Sequence, residues 1–191
     1  MLPLIGAGAS GGAVGGLVLP WSDDFDRANE DPLVGEWDAA GAAKIVSNAV
    51  VWDTSAAWSF AYKDFGVTDQ VVQAAVTRTD ADSNPGLVAR YVDASNYFLA
   101  YVNTDSILVV DVSGGSWVAN DDGNYDGANS GTLKLEVLGT SIKAYWDGGG
   151  GFSLMASITR SSHASSTIAG MGAQNNAGAA GHDNFSADEA S

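Results

Sequence analysis

Apolar and polar residues alternate along most of this chain in short runs. From residue 44 onward the apolar runs are separated by Gly, Asn, Asp and Ser, which is typical of antiparallel strands joined by turns. The predicted strands occupy residues 44–52, 57–65, 70–79, 86–92, 96–103, 106–112, 131–139, 140–148, 152–159, 167–174 and 183–189. No stretch of useful length has the period of an amphipathic helix. The pattern therefore predicts an all-β chain, because a parallel α/β sheet would need crossover helices.

The clearest alternation lies in "TLKLEV", where the apolar residues of 133–137 share one face and Lys134 and Glu136 share the other. That strand is expected to have one buried and one wet face. Turn residues at 93–96 and at Gly139 predict two hairpins that connect neighbouring strands.

The first twenty residues, "MLPLIGAGASGGAVGGLVLP", differ from the rest of the chain. The spacing of Gly8, Gly12 and Gly16 resembles that of packed membrane helices, but six glycines and no positive flank before Arg27 argue against a membrane span. We predict that residues 1–20 form an extended Gly-rich arm that anchors the protein to a partner or a neighbouring subunit. The alternative is a segment that folds back on its own domain. Residues 21–191 are expected to form one domain.

The charge balance excludes several classes of partner. Lys and Arg number 8 against 23 Asp and Glu, so the formal net charge is -15, which repels nucleic acid and anionic lipid headgroups. The absence of cysteine excludes disulfides, thiolate nucleophiles and sulfur-ligated metals. A hydrophobic fraction of 46% is enough for a folded body.

Several motifs together resemble one known family. "DDFDRANEDPLVGEWD", "KIVSNAVVWD", "GLVARYVDASNYFLAYV", "TLKLEVLGTSIKAYWDG" and the final "GHDNFSA" resemble the concanavalin A-like, laminin-G-like jelly rolls. These are common as non-catalytic modules in bacterial surface proteins and in phage virion proteins. The resemblance implies a two-sheet antiparallel β-sandwich over about residues 21–190. It says little about which ligand the domain binds.

The resemblance also implies how the two ends of the domain meet. The first strand would run beside the last, with Phe25 and Phe185 as core residues on neighbouring strands. A polar closure of the sandwich end is expected from Asp24, Asp26, Arg27 and Asp183. The alternative is a metal held by the carboxylates of Asp23, Asp24 and Asp183.

The sequence gives little support for any known set of catalytic residues. Sugar hydrolysis needs two carboxylates across a cleft, and the glucanase-like branch of this superfold places them on one strand as Glu-x-Asp-x-x-Glu. Here Glu136 stands alone on its predicted strand. A triad drawn from Ser161, His163 and an aspartate has no glycine-framed serine, and His182 lies in a Gly-rich stretch. We therefore predict no catalytic residues and no enzymatic activity.

The segment 120–131, "NDDGNYDGANSG", predicts a loop with metal-ligand spacing. Asp122, Asn124 and Asp126 alternate and precede Gly127, which matches the first half of a calcium loop, whereas Leu133 stands where its bidentate glutamate is expected. These three residues are the candidate calcium ligands. The alternative is an Asx-rich hairpin loop that binds no ion.

Six tryptophans raise the question of sugar binding, because aromatic faces stack on the apolar faces of sugars. Three lie in strand-like surroundings and are expected in the core: Trp37, Trp52 and Trp58. The candidate glycan-binding residues lie near loops rich in Asp, Asn and Gly: Trp117, Tyr125 and Trp146. The alternative for these residues is packing or a subunit contact.

Two functions are expected on these grounds. The first is a non-catalytic structural protein of a phage virion, as a capsid decoration or cement subunit or as part of a tail or fibre, anchored through residues 1–20 and homo-oligomeric, with a trimer as the expected state. The second is a lectin-like module that recognises a host-surface glycan, with calcium as the candidate ion.

Overall fold

The computed structural model describes residues 19–38, 41–53, 57–125, 127–174 and 177–191, and these contain strands and turns but no helix. None of this part of the chain forms a helix that is long and apolar enough to cross a membrane. The strands are β1 (Trp21–Asp23), β2 (Ala43–Val46), β3 (Ala49–Asp53), β4 (Ser59–Asp64), β5 (Gln70–Arg78), β6 (Asn84–Asp93), β7 (Asn96–Val102), β8 (Ser106–Ser113), β9 (Ser116–Asn124), β10 (Ser130–Leu138), β11 (Ser141–Asp147), β12 (Ser153–Thr159), β13 (Ile168–Gln174) and β14 (Ala177–Glu189).

The strands form two antiparallel sheets. The eight-stranded sheet has the order β12-β11-β10-β5-β14-β3-β2, with β1 added beside the second half of β14. The six-stranded sheet has the order β4-β13-β6-β7-β8-β9. The predicted two-sheet antiparallel β-sandwich is thereby confirmed.

The core lies between the sheets and follows the alternation in the sequence. Leu133, Leu135 and Val137 are fully buried in it, while Lys134 and Glu136 lie on the outer face of the eight-stranded sheet, as predicted. Because successive side chains of a strand point to opposite faces, one register fixes both the buried and the exposed residues of each strand.

A buried histidine joins the two sheets. The indole Nε1 of Trp52 donates a hydrogen bond to Nδ1 of His182 at 3.0 Å, and Nε2 of His182 faces the carbonyl oxygen of Gly86 in the other sheet at 3.0 Å. An accepting Nδ1 leaves the ring proton on Nε2, so the imidazole is neutral. Burial lowers the pKa of His182 to about 4, against the opposing effect of the Gly86 carbonyl.

The two ends of the domain meet as the resemblance implied. Asp23 of β1 pairs with Phe185 of β14, and both Phe25 and Phe185 are fully buried. The polar closure differs from the prediction, because it is centred on Asp23. The carboxylate of Asp23 accepts hydrogen bonds from the Phe25 amide at 2.9 Å, from Arg27 at 2.6 Å and from the Trp37 indole at 3.0 Å.

The expected partners of Arg27 face elsewhere. Asp24 and Asp26 are exposed and accept bonds from the Asp26 amide and from Asn48 respectively, and Asp183 accepts from the amide that follows it. The alternation of β1 explains this difference, since it turns Asp23 toward the sandwich and Asp24 toward solvent.

Two boundaries differ from the sequence prediction. The run 44–52 is a hairpin of β2 and β3, because Ser47 and Asn48 have φ of 53° and 64°, the left-handed conformation of a tight hairpin turn. The segment 120–131 is not one loop, because its first residues belong to β9, a strand that the polar sequence conceals. Residues 1–18 lie outside the described residues, so the Gly-rich arm over 1–20 stays a prediction.

Candidate functional site

The two outer faces of the sandwich differ in chemistry. On the eight-stranded sheet, β5, β10 and β11 present polar and charged side chains, namely Gln73, Thr77, Lys134, Glu136 and Lys143. On the six-stranded sheet, a second apolar cluster covers the outer face, separate from the core between the sheets. The members of this apolar cluster are themselves at most 9% exposed, so its side chains cover one another on the outer face of the sheet.

Seven aromatic rings cross this apolar face, and we call them the aromatic row: Trp117, Tyr101, Trp58, Phe60, Tyr97, Tyr91 and Tyr62. Successive ring centroids lie 4.6 to 6.2 Å apart. The row runs from β9 at one edge of the sheet to β4 at the other. Rings at these distances and angles hold one another in fixed orientations.

A glycine and buried aliphatic side chains lie beneath the aromatic row. A Cβ at Gly172 would lie 2.5 Å from the Phe60 ring, so only glycine lets that ring lie across β13. Leu99 and Val110 beneath the rings are fully buried. Burial raises the pKa of Tyr97 to about 12, which keeps its hydroxyl protonated at any physiological pH.

Trp117 is the open end of the row. Its side chain is 52% exposed, and it faces Tyr101 with a centroid distance of 6.2 Å. A register shift between Asp111 and Val112 sets Trp117 opposite Val112, on the apolar face. Such a bulge at an edge strand re-aims the side chains that follow.

Polar side chains continue from Trp117 along the same face of β9. Asn120 pairs with Val110, Asp122 with Leu108 and Asn124 with Ser106, so the three side chains lie on the face of the aromatic row. The sequence predicted Trp117 as a sugar contact and Asp122 and Asn124 as calcium ligands. The structure places the three residues on one strand face.

The calcium prediction is only partly covered by the structure. Asp122 and Asn124 belong to the end of β9, whereas Asp126 lies outside the described residues. Over the part of the chain that the structure describes, no group of three His, Cys, Asp or Glu side chains is placed to hold a metal. Calcium binding by Asp122, Asn124 and Asp126 therefore stays a prediction.

The other two predicted glycan contacts lie together in a different place. Tyr125 and Trp146 meet edge to face with centroids 5.6 Å apart and line a depression of about 370 Å³. We call it the glycine-loop depression, and its remaining lining is Gly148, Gly150, Gly151, Ser153 and Met155. Trp146 is only 6% exposed and belongs to the core, so it is not an open stacking surface as Trp117 is.

A buried arginine that the sequence analysis missed holds Tyr125. The Arg78 guanidinium donates to the Tyr125 hydroxyl at 3.1 Å and to the Asn103 carbonyl at 2.6 Å. Its other acceptors are the carbonyls of Asp80, Ala81 and Ser83 and the hydroxyl of Thr104. Because it donates to four carbonyls, the Arg78 guanidinium holds three loops together. In many folds a bound metal ion has this role. Only the tertiary structure shows it, because the acceptors are backbone atoms.

A histidine and an aspartate meet at the sandwich edge, but they do not form a triad. The same Nε2 atom of His163 faces Asp111 at 3.2 Å, Ser113 at 3.3 Å and the Val112 carbonyl at 3.0 Å. A catalytic triad uses the two ring nitrogens separately, one for the acid and one for the nucleophile.

The carboxylate of Asp111 is instead a structural acceptor. Burial acts to raise its pKa, but hydrogen bonds from Ser162, Arg160, Ser113 and His163 outweigh burial, and the pKa is lowered. Ser161, the serine of the triad that the sequence analysis set aside, is not among its partners.

Comparisons with known proteins agree with the fold. No protein-family model matches the chain, and no curated protein matches it. Among solved structures, the carbohydrate-binding module CBM66 from Bacillus subtilis is 20% identical with a TM-score of 0.61, and the match covers 81% of this chain and 96% of that one. The fold is that of lectin-like jelly rolls.

Two further solved structures share this fold. A legume lectin-like domain from Entamoeba histolytica is 10% identical with a TM-score of 0.59, covering 82% of this chain and 91% of that domain. A xylan β-1,4-xylosidase from Bacillus halodurans is 15% identical with a TM-score of 0.66, and the match covers 88% of this chain but 39% of the enzyme. The chain thus spans most of a binding module and less than half of the glycoside hydrolase.

Proposed function

We propose that this protein is a non-catalytic carbohydrate-binding module that holds a polysaccharide on the outer face of its six-stranded sheet. The observation that carries the proposal is the aromatic row, which ends in the half-exposed Trp117 beside the polar side chains of β9. The similarity to a carbohydrate-binding module and to a legume lectin-like domain supports the same reading.

The chemistry of the row suits a sugar chain. A sugar ring has an apolar face of C–H groups, which stacks on an aromatic ring, and a rim of hydroxyls that needs hydrogen-bond partners. Trp117 offers the ring, and Asn120 and Asp122 offer amide and carboxylate groups on the same strand face. Because Tyr101 and Trp58 pack in sequence behind Trp117, the binding surface is preorganised and little entropy is lost on binding.

The net charge of the protein indicates which kind of glycan it can bind. With a formal net charge of -15, the protein repels polyanions such as pectate or glycosaminoglycans. A neutral polysaccharide is the expected ligand.

Replacing Trp117 with alanine is expected to weaken polysaccharide binding by about thirtyfold, the effect of losing about 2 kcal/mol at a central aromatic contact. Trp117→Phe should retain most of the affinity, because a flat ring remains. The measurement is affinity gel electrophoresis against xylan, arabinan, mannan, levan and β-glucan, followed by calorimetry on the polysaccharide that retards the protein.

The matched control is Phe152→Ala. Phe152 is 41% exposed and near the eight-stranded sheet, so its loss should leave retardation unchanged. Equal retardation of the Trp117→Ala variant and the unchanged protein would contradict the proposal, as would the absence of retardation by every polysaccharide in the series. Gels run with calcium and with a chelator test the prediction that Asp122, Asn124 and Asp126 hold calcium.

The predicted virion role has less support than glycan binding, since a carbohydrate-binding module and a legume lectin-like domain are among the similar structures. A role in a capsid, tail or fibre, location in a virion, anchoring through residues 1–20 and a trimeric state stay predictions. Light scattering on the full chain and on a chain lacking residues 1–20 tests the last two together.

A further inference from the structure

The indole N–H of Trp146 is a buried donor without a partner. Its Nε1 has no hydrogen bond although the atom is closed off from solvent and the residue is only 6% exposed. A buried donor that lacks an acceptor costs about 1–3 kcal/mol, so such atoms are rare unless something binds them. Among the described residues, no other buried side-chain nitrogen or oxygen lacks a hydrogen-bond partner.

Trp146 is held firmly in place. A Cβ at Gly131 would collide with the indole ring, so the ring lies against the backbone of β10, and Tyr125 closes its other side edge to face. Arg78 fixes Tyr125 in turn through its hydroxyl. The direction of the unpaired N–H is therefore set by the surrounding structure.

The unpaired N–H lies beside the wall of the glycine-loop depression. A Cβ at Gly148 would lie 3.3 Å from Nε1, and Trp146 and Gly148 both line the depression, so the backbone of residue 148 lies next to the unpaired atom. Asp147 holds the loop through its carboxylate, which accepts from the amides of Gly149 at 2.7 Å and Gly151 at 2.9 Å. A Cβ at Gly149, Gly150 or Gly151 would meet nothing within 4 Å, so the loop has open space beside it.

The lining indicates the chemistry of the ligand. One part of it is formed by Tyr125, Trp146 and Met155, and the other part by three glycines and Ser153. None of these groups is charged, and a cavity of about 370 Å³ is at the lower end of the usual size for small-molecule sites. A neutral ring with hydroxyl groups on its rim and C–H groups on its face fits both parts.

We infer that the glycine-loop depression binds the terminal residue of a neutral sugar chain, with a sugar hydroxyl accepting the hydrogen bond from Nε1 of Trp146. This inference deepens the proposed function and rests on it. Trp117 would hold internal residues on an open face, whereas the depression has room for one chain end. The module would then recognise chain termini in addition to the length of the polysaccharide.

The test follows the six indole N–H signals of the ¹⁵N-labelled protein by NMR, with Trp146→Phe used to assign the signal of Trp146. The probes are the methyl glycosides of xylose, arabinose, mannose and fructose. The expected result is a saturable downfield shift of the Trp146 signal with at least one glycoside, while the Trp117 signal stays in place. If none of the four glycosides moves the Trp146 signal, the inference is overturned.

Two glycine variants make the test specific. Gly148→Ala is expected to weaken the glycoside by about tenfold, because its Cβ would lie against Nε1 and hinder the new hydrogen bond. Gly181→Ala is the matched control, since Gly181 lies on β14 outside the depression and its Cβ would make only an ordinary contact with the Val50 carbonyl oxygen at 3.7 Å. Equal weakening by both variants would also overturn the inference.

The two proposals can fail separately. If polysaccharide retardation still depends on Trp117 while the Trp146 signal does not shift, the proposed function stands and the inference of a site for chain ends is wrong. If both retardation and the Trp146 shift are absent, the proposed function fails with it.

Discussion

Replacing Arg78 with methionine is expected to lower the free energy of unfolding by about 3–5 kcal/mol. Methionine fills much of the same volume but donates no hydrogen bond. The carbonyls of Asp80, Ala81, Ser83 and Asn103 would each lose the donor that Arg78 provides, and Arg78 is only 4% exposed. The carbonyls of Asp80, Ala81 and Asn103 keep a second donor, from the hydroxyls of Ser83, Thr104 and Tyr125 respectively. Water can reach some of these carbonyls, which keeps the expected loss below the sum of four separate penalties. Urea unfolding followed by fluorescence measures the loss.

The matched variant is Arg78→Lys. Lysine keeps the charge and three donors but lacks the planar fork, so about half of the loss is expected to return. Because Tyr125 depends on Arg78, both variants should disturb the glycine-loop depression and leave retardation through Trp117 unchanged. A loss below about 1 kcal/mol for Arg78→Met would show that solvent already serves these carbonyls.

The protein is expected to lose about 3 kcal/mol of unfolding free energy between pH 6.5 and pH 4 because of His182 alone. The folded state lowers the pKa of this histidine from 6.5 to about 4, so the unfolded chain binds the proton first. The stability is therefore fully present above pH 6.5 and falls as the pH drops to about 4. Asp111 and Asp147, whose pKa values are also lowered, add a further loss at more acidic pH.

The control for this slope is His182→Gln, which removes the titrating ring and keeps a side chain that can donate and accept. Its urea midpoint should change much less between pH 6.5 and pH 4 than that of the unchanged protein, whatever its stability at neutral pH. His163→Gln should keep the His182 slope, since His182 remains intact. An unchanged slope in His182→Gln would assign the acid sensitivity to other groups.

The hydrophobic pattern predicts the strands well for a physical reason. Alternation is a local property, and it determines which side chains of a strand share a face before any partner strand is known. Leu133 and Leu135 were placed in the core on this ground, and the turns at 93–96 and at Gly139 were predicted from residues that favour turns. β9 was missed because its polar residues lie on an edge strand, where burial imposes no apolar pattern.

The candidate site was predicted only in part. Trp117, a predicted glycan contact, is exposed in the structure, whereas Trp146 was grouped with it and is buried. Both stand in similar local sequence, beside Asp, Asn or Gly. The difference arises because Trp117 follows a bulge at a sheet edge, while Trp146 alternates with exposed residues of β11 and points between the sheets.

The sequence by itself determined the all-β class and the repulsion of polyanions through its acidic charge, whereas the meeting of the first and last strands was implied by the family resemblance. The tertiary structure decided which rings form the aromatic row, since Phe60 lies over Gly172 only because β4 pairs with β13. It also decided that Arg78 would serve three loops and that the Trp146 N–H would stay unpaired. Residues close together in the sequence determine which side chains share one face of a strand. Which strands lie side by side depends on pairings between distant parts of the chain.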